Sequence, residues 1–404
     1  MYSILRGKNE GIEDAVLHFA RELVRTPSPS LAEAHVAKLV EKEMREIGYD
    51  RVIRDDYGNV VGIIHGGEGQ PTLLLNSHMD TVSRTADASA GNGVWSDGRL
   101  YGVGASDCKG GLAAQVFCGL LLKRSLLPLR GNLVVAATVA EENGLSVGVR
   151  ALLDETLPSL GISPDYAVLG EPTNLGLYYG HDGRLEMEIH VRGIDPFLVD
   201  DAARAIIRDF ESAHAAREAE APALFDVEGP RFETVGGIRT ATISMARRLG
   251  PLENARDVVR GVSHDLSLVS PRAAAVAVDV APREETQRLY NGKTTVVRHV
   301  TNGWSTDPFH PLIDRARQSF AAAGCPFRPG RWELSRIGMG TAGHVLVGEF
   351  DVPTIGYGPG RESLAHRPGE YVELAAIPKA VYGTAVIAHS LIGIPVCGWT
   401  SDEI

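Results

Sequence analysis

Cysteine is scarce in this chain of 404 residues: there are four, at 108, 118, 325 and 397, and none forms a CxxC pair. So few and so scattered, they exclude a disulfide framework and predict a reduced compartment, the cytoplasm. Long apolar runs are also missing. Residues 131–140 and 381–395, the most hydrophobic stretches, are broken by polar residues or glycine well short of the roughly 20 needed to cross a bilayer. The opening residues are charged early and hold no apolar core of signal-peptide length, so no membrane partner is expected. Positive charge is in deficit, with 40 Lys and Arg against 51 Asp and Glu, a formal charge of −11. An acidic surface repels phosphate backbones, which argues against a nucleic-acid partner and leaves a small-molecule substrate open.

No internal repeat or low-complexity tract is present. A hydrophobic fraction of 44% with 23% charged residues fits neither a disordered nor a coiled-coil chain. The length exceeds one core of roughly 250 to 300 residues and suits two domains. Between Asn9 and Tyr49 two helical patterns flank the run TPSPS (26–30). That run reads as a stop and a fresh N-cap, with Glu33 three residues after Ser30 as in a capping box. Strands are predicted at Val60–Ile64, Thr72–Leu75, Leu133–Val139 and Tyr166–Leu169, and a helix over Leu112–Leu127. This alternation predicts an α/β domain with a mostly parallel sheet.

Around Gly180 the pattern changes. Arg184–Val191 alternates like a half-exposed strand, Asp200–Glu220 has helical spacing, and Thr240–Ala246 and Ala273–Val280 are strand-like. From Pro311 the first pattern resumes, with a helix to about Ala323, a strand over Val352–Gly358 and a closing helix over Leu374–Leu391. The expected organisation is a domain in two parts, 1–180 and 293–404, with a smaller α+β domain, 181–292, inserted.

The polar residues that carry chemistry sit where apolar strands end, and in an open α/β sheet those ends face the ligand crevice. They are His78 and Asp80 after LLLNS, Asp107 in GASDCKGG, Glu141 and Glu142 after VVAATVA, Glu171 in LGEPT, and His366 in ESLAHRPGE. Each alone has an ordinary explanation: paired glutamates begin many helices, and glycines after Lys109 make a plain tight turn. Together, two imidazoles and several carboxylates without cysteine suit zinc, cobalt or manganese. Cys108 is not needed for the set.

The segments HMDTV (78–82), DGRLYGVGASDCKGGLAA (97–114), AEE (140–142), GEPT (170–173) and GPG…LAHRPGEYV (358–372) resemble the M20 metallopeptidase and deacylase superfamily. Its groups include carboxypeptidase, succinyl-diaminopimelate desuccinylase, acetylornithine deacetylase and aminoacylase. The resemblance implies a hydrolase with two divalent metal ions, zinc first, cobalt or manganese otherwise. His78, Asp107 and Glu171 would serve one ion and Glu142 and His366 the other, with Asp107 bridging. Asp80 would orient His78. Glu141 would be the general base, taking a proton from a water shared by the ions as it attacks an amide carbonyl. The substrate class would be a small N-acyl amino acid or short peptide. An aminohydrolase acting on an arylamine or amidine with the same ions is the alternative. The inserted domain would be a lid or a dimerisation surface, making a homodimer.

Two departures from that pattern stand out. Relatives carry a histidine soon after the strand that opens the inserted domain, where it assists the oxyanion; here Val191–Ile206 reads VRGIDPFLVDDAARAI and holds none. Relatives also place an acidic or asparagine residue near Ala342, in the segment that here reads GMGTAGHVL. His344 in that segment is the leading substitute donor and His181 a second. Arg239 and Arg272 are candidates to grip a substrate carboxylate.

Overall fold

The computed structural model describes residues 1–83, 92–143, 146–217, 225–250, 253–269, 276–325 and 336–394. The chain divides into two units, one of Met1–His181, Gln287–Thr295 and Ser305–Ile404, the other of Asp182–Thr286 and Val296–Trp304.

The first unit is built on six strands in the order Arg51–Arg54, Val60–Ile64, Leu133–Thr138, Leu73–His78, Tyr166–Leu169, Thr354–Gly356. Leu73–His78 runs parallel to both of its neighbours, and Thr354–Gly356 runs parallel to Tyr166–Leu169. Val60–Ile64 and Arg51–Arg54 are antiparallel at the other side. VVGII, LLLNSH and LVVAAT are buried at every residue, as continuous apolar strands are when helices cover both faces. Because the central strands are parallel, their C-terminal residues arrive at one edge, with His78 opposite Thr138.

Helices Glu13–Arg25 and Ala34–Ile47 stand where the two patterns were expected, and a further helix, Tyr2–Glu10, precedes them. The Ser30–Glu33 capping box is not made. Ser30 Oγ donates to Asp80 Oδ2 at 2.7 Å, and Glu33 Oε1 accepts from Leu31 N and Ala140 N, both at 3.0 Å. Both side chains are engaged by strand ends instead of by the helix they precede.

Helix Gly110–Ser125 is apolar on nearly all sides and buried along almost its whole length, packed against the closing helix Ala376–Ile392. The glycines after Lys109 do not make the tight turn expected of them: Gly110 is right-handed helical, at φ −63°, and helix begins there. Close approach is what requires Gly111, since a Cβ there would run into the Gly170 carbonyl oxygen. Gly111→Ala is therefore expected to cost about 2–3 kcal/mol, read as a lower midpoint in denaturant unfolding.

In the second unit the sheet order is Asp226–Val235, Ile238–Leu249, Gly183–Gly193, Ala277–Pro282, all antiparallel. Gly183–Gly193 buries alternate residues, Leu185, Met187, Ile189 and Val191, in a core shared with helix residues Val199, Ala203 and Val262. His190 falls on the other face beside Thr242, an ordinary strand position. The strand passes through Ile194 and Asp195 straight into helix Pro196–Arg217. Among the described residues no helix is long and apolar enough to cross a membrane.

Candidate metal centre

Side chains from five chain segments of the first unit, His78, Asp107, Glu142, Glu171 and His366, meet with Asp107 at their centre. His78 is the last residue of its strand. Its Nδ1 lies 2.9 Å from the backbone oxygen of Asp80, which leaves Nε2 turned toward Asp107 Oδ1 at 3.4 Å. The other Asp107 oxygen, Oδ2, lies 3.1 Å from His366 Nε2, and that nitrogen lies 2.8 Å from Glu142 Oε2. One donor atom each from His78, Asp107, Cys108 and Glu171 falls within 4.8 Å of the others, and so does one each from Asp107, Glu142 and His366. Asp107 thus belongs to two clusters and turns one oxygen to each imidazole.

The backbone is held as firmly as the side chains. Ser106 N and Asp107 N donate to Glu370 Oε1 at 2.9 and 3.1 Å. The Asp107–Cys108 peptide is cis. Asp80 accepts Glu141 N through both oxygens, at 3.1 and 3.0 Å, and Glu142 N at 2.9 Å. Ala140 and His366 are both left-handed, with φ of 52° and 57°. Non-glycine residues take that conformation at a cost, and such positions concentrate at functional sites.

Crowded and buried, the glutamates of the cluster favour their protonated forms. Burial pushes Glu171 up to about 8 and raises Glu141 well above, and Glu142 above, the usual carboxylate range. Asp107 is buried too, yet His366 and His78 hold it well below that range. Glu142 Oε1 is buried with no hydrogen-bond partner among the described residues. An orphaned buried acceptor beside carboxylates that cannot all ionise fits a divalent cation. The donor set, imidazole and carboxylate in two clusters with a shared aspartate, fits two. Cys108 stands within the first cluster, but its Sγ donates to the His78 backbone oxygen at 3.5 Å and burial pushes the thiol up to about 12. Imidazole and carboxylate are the readier ligands there.

Asp80 lies behind His78 and is fully buried; His78, Ser30 and the Glu142 amide outweigh that burial and hold it below the usual range. Glu141 is buried, with Ser146 Oγ 3.5 Å from its Oε1. His181 is buried, its Nε2 accepting from Thr341 N at 3.0 Å, so that ring braces the loop that carries His344. His344 is 1% exposed, and neither ring nitrogen has a hydrogen-bond partner among the described residues. Burial, with His181 and Arg150, holds it well below the usual imidazole range, hence neutral. Arg239 is committed to Asp200 through two hydrogen bonds, at 2.9 and 3.0 Å, and lies over the Phe232 ring. A substrate carboxylate would have to displace Asp200. Arg272 lies outside the described residues.

Ser30, Glu33 and Glu370, which hold this backbone, have no strand-end signal: the first two read as a helix start and the third as part of a loop motif. Tyr178 is a further buried neighbour. Burial, and then Glu171, raise its phenol well above the usual range, and the Thr341 hydroxyl bonds to it.

Residues 74–389 match the family model described as Peptidase family M20/M25/M40. The [LysW]-lysine hydrolase of Deinococcus radiodurans is 26% identical over 393 residues, covering 92% of this chain and 96% of its own. A putative [LysW]-lysine/[LysW]-ornithine hydrolase of Pyrococcus furiosus is 34% identical over 369 residues, 90% of this chain and 94% of its own. Among solved structures, the Bacillus subtilis YXEP protein, described as a dinuclear metal binding peptidase from the M20 family, superposes with a TM-score of 0.66. It is 15% identical and covers 94% of this chain and 98% of its own, a likeness of fold.

Proposed function

The chain belongs to peptidase family M20/M25/M40, a family of hydrolases, and from that premise we propose that it cleaves an amide C–N bond in a small N-acyl amino acid or short peptide. The observation that carries this reading is Asp107 turning one oxygen toward each imidazole at 3.4 and 3.1 Å, with Glu141 beside the cluster and surplus to it. His78, Asp107 and Glu171 would hold one divalent ion and Asp107, Glu142 and His366 the other, zinc first, with cobalt and manganese compatible with the same donors. When bound, the ions supply Lewis acidity toward the amide carbonyl and lower the pKa of water.

The protein's own groups do the rest. Glu141 accepts a proton from water as its oxygen adds to the carbonyl carbon, and returns that proton to the nitrogen as the C–N bond breaks. A carboxylic acid and an amine leave. Asp80 fixes the His78 ring through the loop it shares with it and, through the amides of Glu141 and Glu142, holds base and ligand in register. Relatives named as [LysW]-lysine hydrolases support hydrolysis at an amino-acid unit. Supplied with zinc, the protein is expected to release carboxylic acid from N-acyl amino acids or dipeptides and to lose activity on chelation. Release of ammonia from an amidine or arylamine, with amides untouched, would replace this reading by the aminohydrolase.

His344 is the donor we assign to the developing oxyanion. A neutral imidazole with both hydrogen bonds unmade has a proton to offer at no cost to an existing contact. His344→Ala is expected to lower kcat by about ten- to a hundred-fold with metal content unchanged. Wild-type kcat in that variant removes the assignment.

A further inference from the structure

Three successive amides after the strand Leu133–Thr138 are all claimed by carboxylates from distant parts of the chain. Ala140 N donates to Glu33 Oε1 at 3.0 Å, Glu141 N to both oxygens of Asp80, and Glu142 N to Asp80 Oδ2. Successive N–H groups around a left-handed residue make a concave anion-binding nest, and here two buried carboxylates fill it from within.

Ala140 begins this run, with φ 52°. An alanine left to itself abandons that conformation for the extended or right-handed regions. If it did so here, Glu141 and Glu142 would swing away together. Asp80 holds the two residues after Ala140, whereas the amide of Ala140 itself is held by Glu33. Glu33 is 0% exposed. Its Oε1 makes one local contact, with Leu31 N, and reaches across 107 residues for the other; its Oε2 is buried without a hydrogen-bond partner among the described residues. Burying a carboxyl with one oxygen unsatisfied is unfavourable, and at the start of helix Ala34–Ile47 it makes no side-chain cap.

We infer that Glu33 is a positioning residue for the reaction: through the Ala140 amide it sets the left-handed turn that sends Glu141 and Glu142 from one strand end in two directions. This rests on the reading of Glu141 as base and Glu142 as metal donor. Glu33 touches neither substrate nor metal. Its signature is a joint loss, because one relaxed turn displaces the base and a ligand at once while leaving the substrate-binding surface alone.

The test uses the full chain with zinc as the metal probe. Glu33→Ala is expected to lower kcat by about 30-fold or more and to weaken retention of the second zinc ion by about ten-fold, the latter measured by chelator competition without substrate. KM should stay within about three-fold of wild type, and Glu33→Gln, which keeps an oxygen for the Ala140 amide, should match wild type within about three-fold in every readout. Glycine takes the left-handed conformation at no steric cost, so adding Ala140→Gly to Glu33→Ala should recover at least about five-fold of the lost kcat. A purely structural role would lower the melting temperature without that recovery.

Wild-type kcat and zinc retention in Glu33→Ala overturn the inference, as does equal loss in Glu33→Gln, or no recovery with glycine. Should Glu33→Ala not accumulate folded, Glu33→Asp decides: it keeps the charge but withdraws the acceptor by one methylene, and parity with wild type overturns the inference. Full turnover in zinc-loaded Glu141→Gln sinks the underlying reading of Glu141 as the base. Glu141→Gln dead and Glu33 variants unaffected would sink this inference alone.

Discussion

Replacing Glu141 by glutamine is expected to lower kcat by about 100- to 10,000-fold while both metal ions stay bound. The change is nearly isosteric. Glutamine can keep the contact with Ser146, and the backbone stays pinned because Asp80 holds the amides of residues 141 and 142, not the side chain. What is lost is the ability to accept a proton. Burial, with Glu171 and Glu142 close by, raises this carboxyl well above its usual range, the direction that suits a group taking and returning a proton near neutrality. The decisive measurement is kcat of a variant whose zinc content has been verified at two ions. Near-normal turnover there would show that another group moves the proton.

Parallel strands end at one edge, and that pattern alone reaches His78, Glu141, Glu142 and Glu171. Asp107, in the turn that leads into helix Gly110–Ser125, and His366, past the short helix Glu362–Leu364, do not stand at parallel strand ends. Asp107 and His366 could be named only from the family motifs, and the fold brings them together with the strand-end residues. The residues that hold the backbone were not legible, for a physical reason. Ser30 and Glu33 have the spacing of a capping box, and local spacing cannot reveal that Asp80 and Ala140, 50 and 107 residues away, claim those side chains. Gly111 looks like a turn former because composition does not show close approach of two backbones. The strand Asp226–Val235, DVEGPRFETV, was missed since it is largely exposed, with an irregular register between Glu228 and Arg231. It lacks the apolar alternation by which a half-buried strand is read. Helix Ala255–Val269 carries Val258, Val259, Val262 and Leu266 on one face, but its valines are β-formers and weaken the helical signal.

Metal binding is expected to depend steeply on pH, because the metal-free site holds protons where the ions go. Glu171 has a folded pKa of about 8 against an ordinary 4.5. Between those values the folded protein keeps a proton that the unfolded chain has lost, so the stability of the metal-free protein falls as pH rises across that window. His366, raised to about 10 by Asp107 and Glu142, acts in the same direction: its contribution is whole below 6.5 and is lost as pH rises through 10. Divalent ions require deprotonated carboxylates and neutral imidazoles, so binding expels these protons. Apparent zinc affinity should therefore climb by at least about ten-fold per pH unit from pH 6 to 8, and the gain in melting temperature on adding zinc should be larger at pH 8 than at pH 6. Calorimetric titrations in two buffers of different ionisation enthalpy count the protons released, and thermal melts of chelated and zinc-loaded protein follow the stability. An affinity flat across this range, with no proton release, would mean that zinc binds somewhere other than the cluster around Asp107.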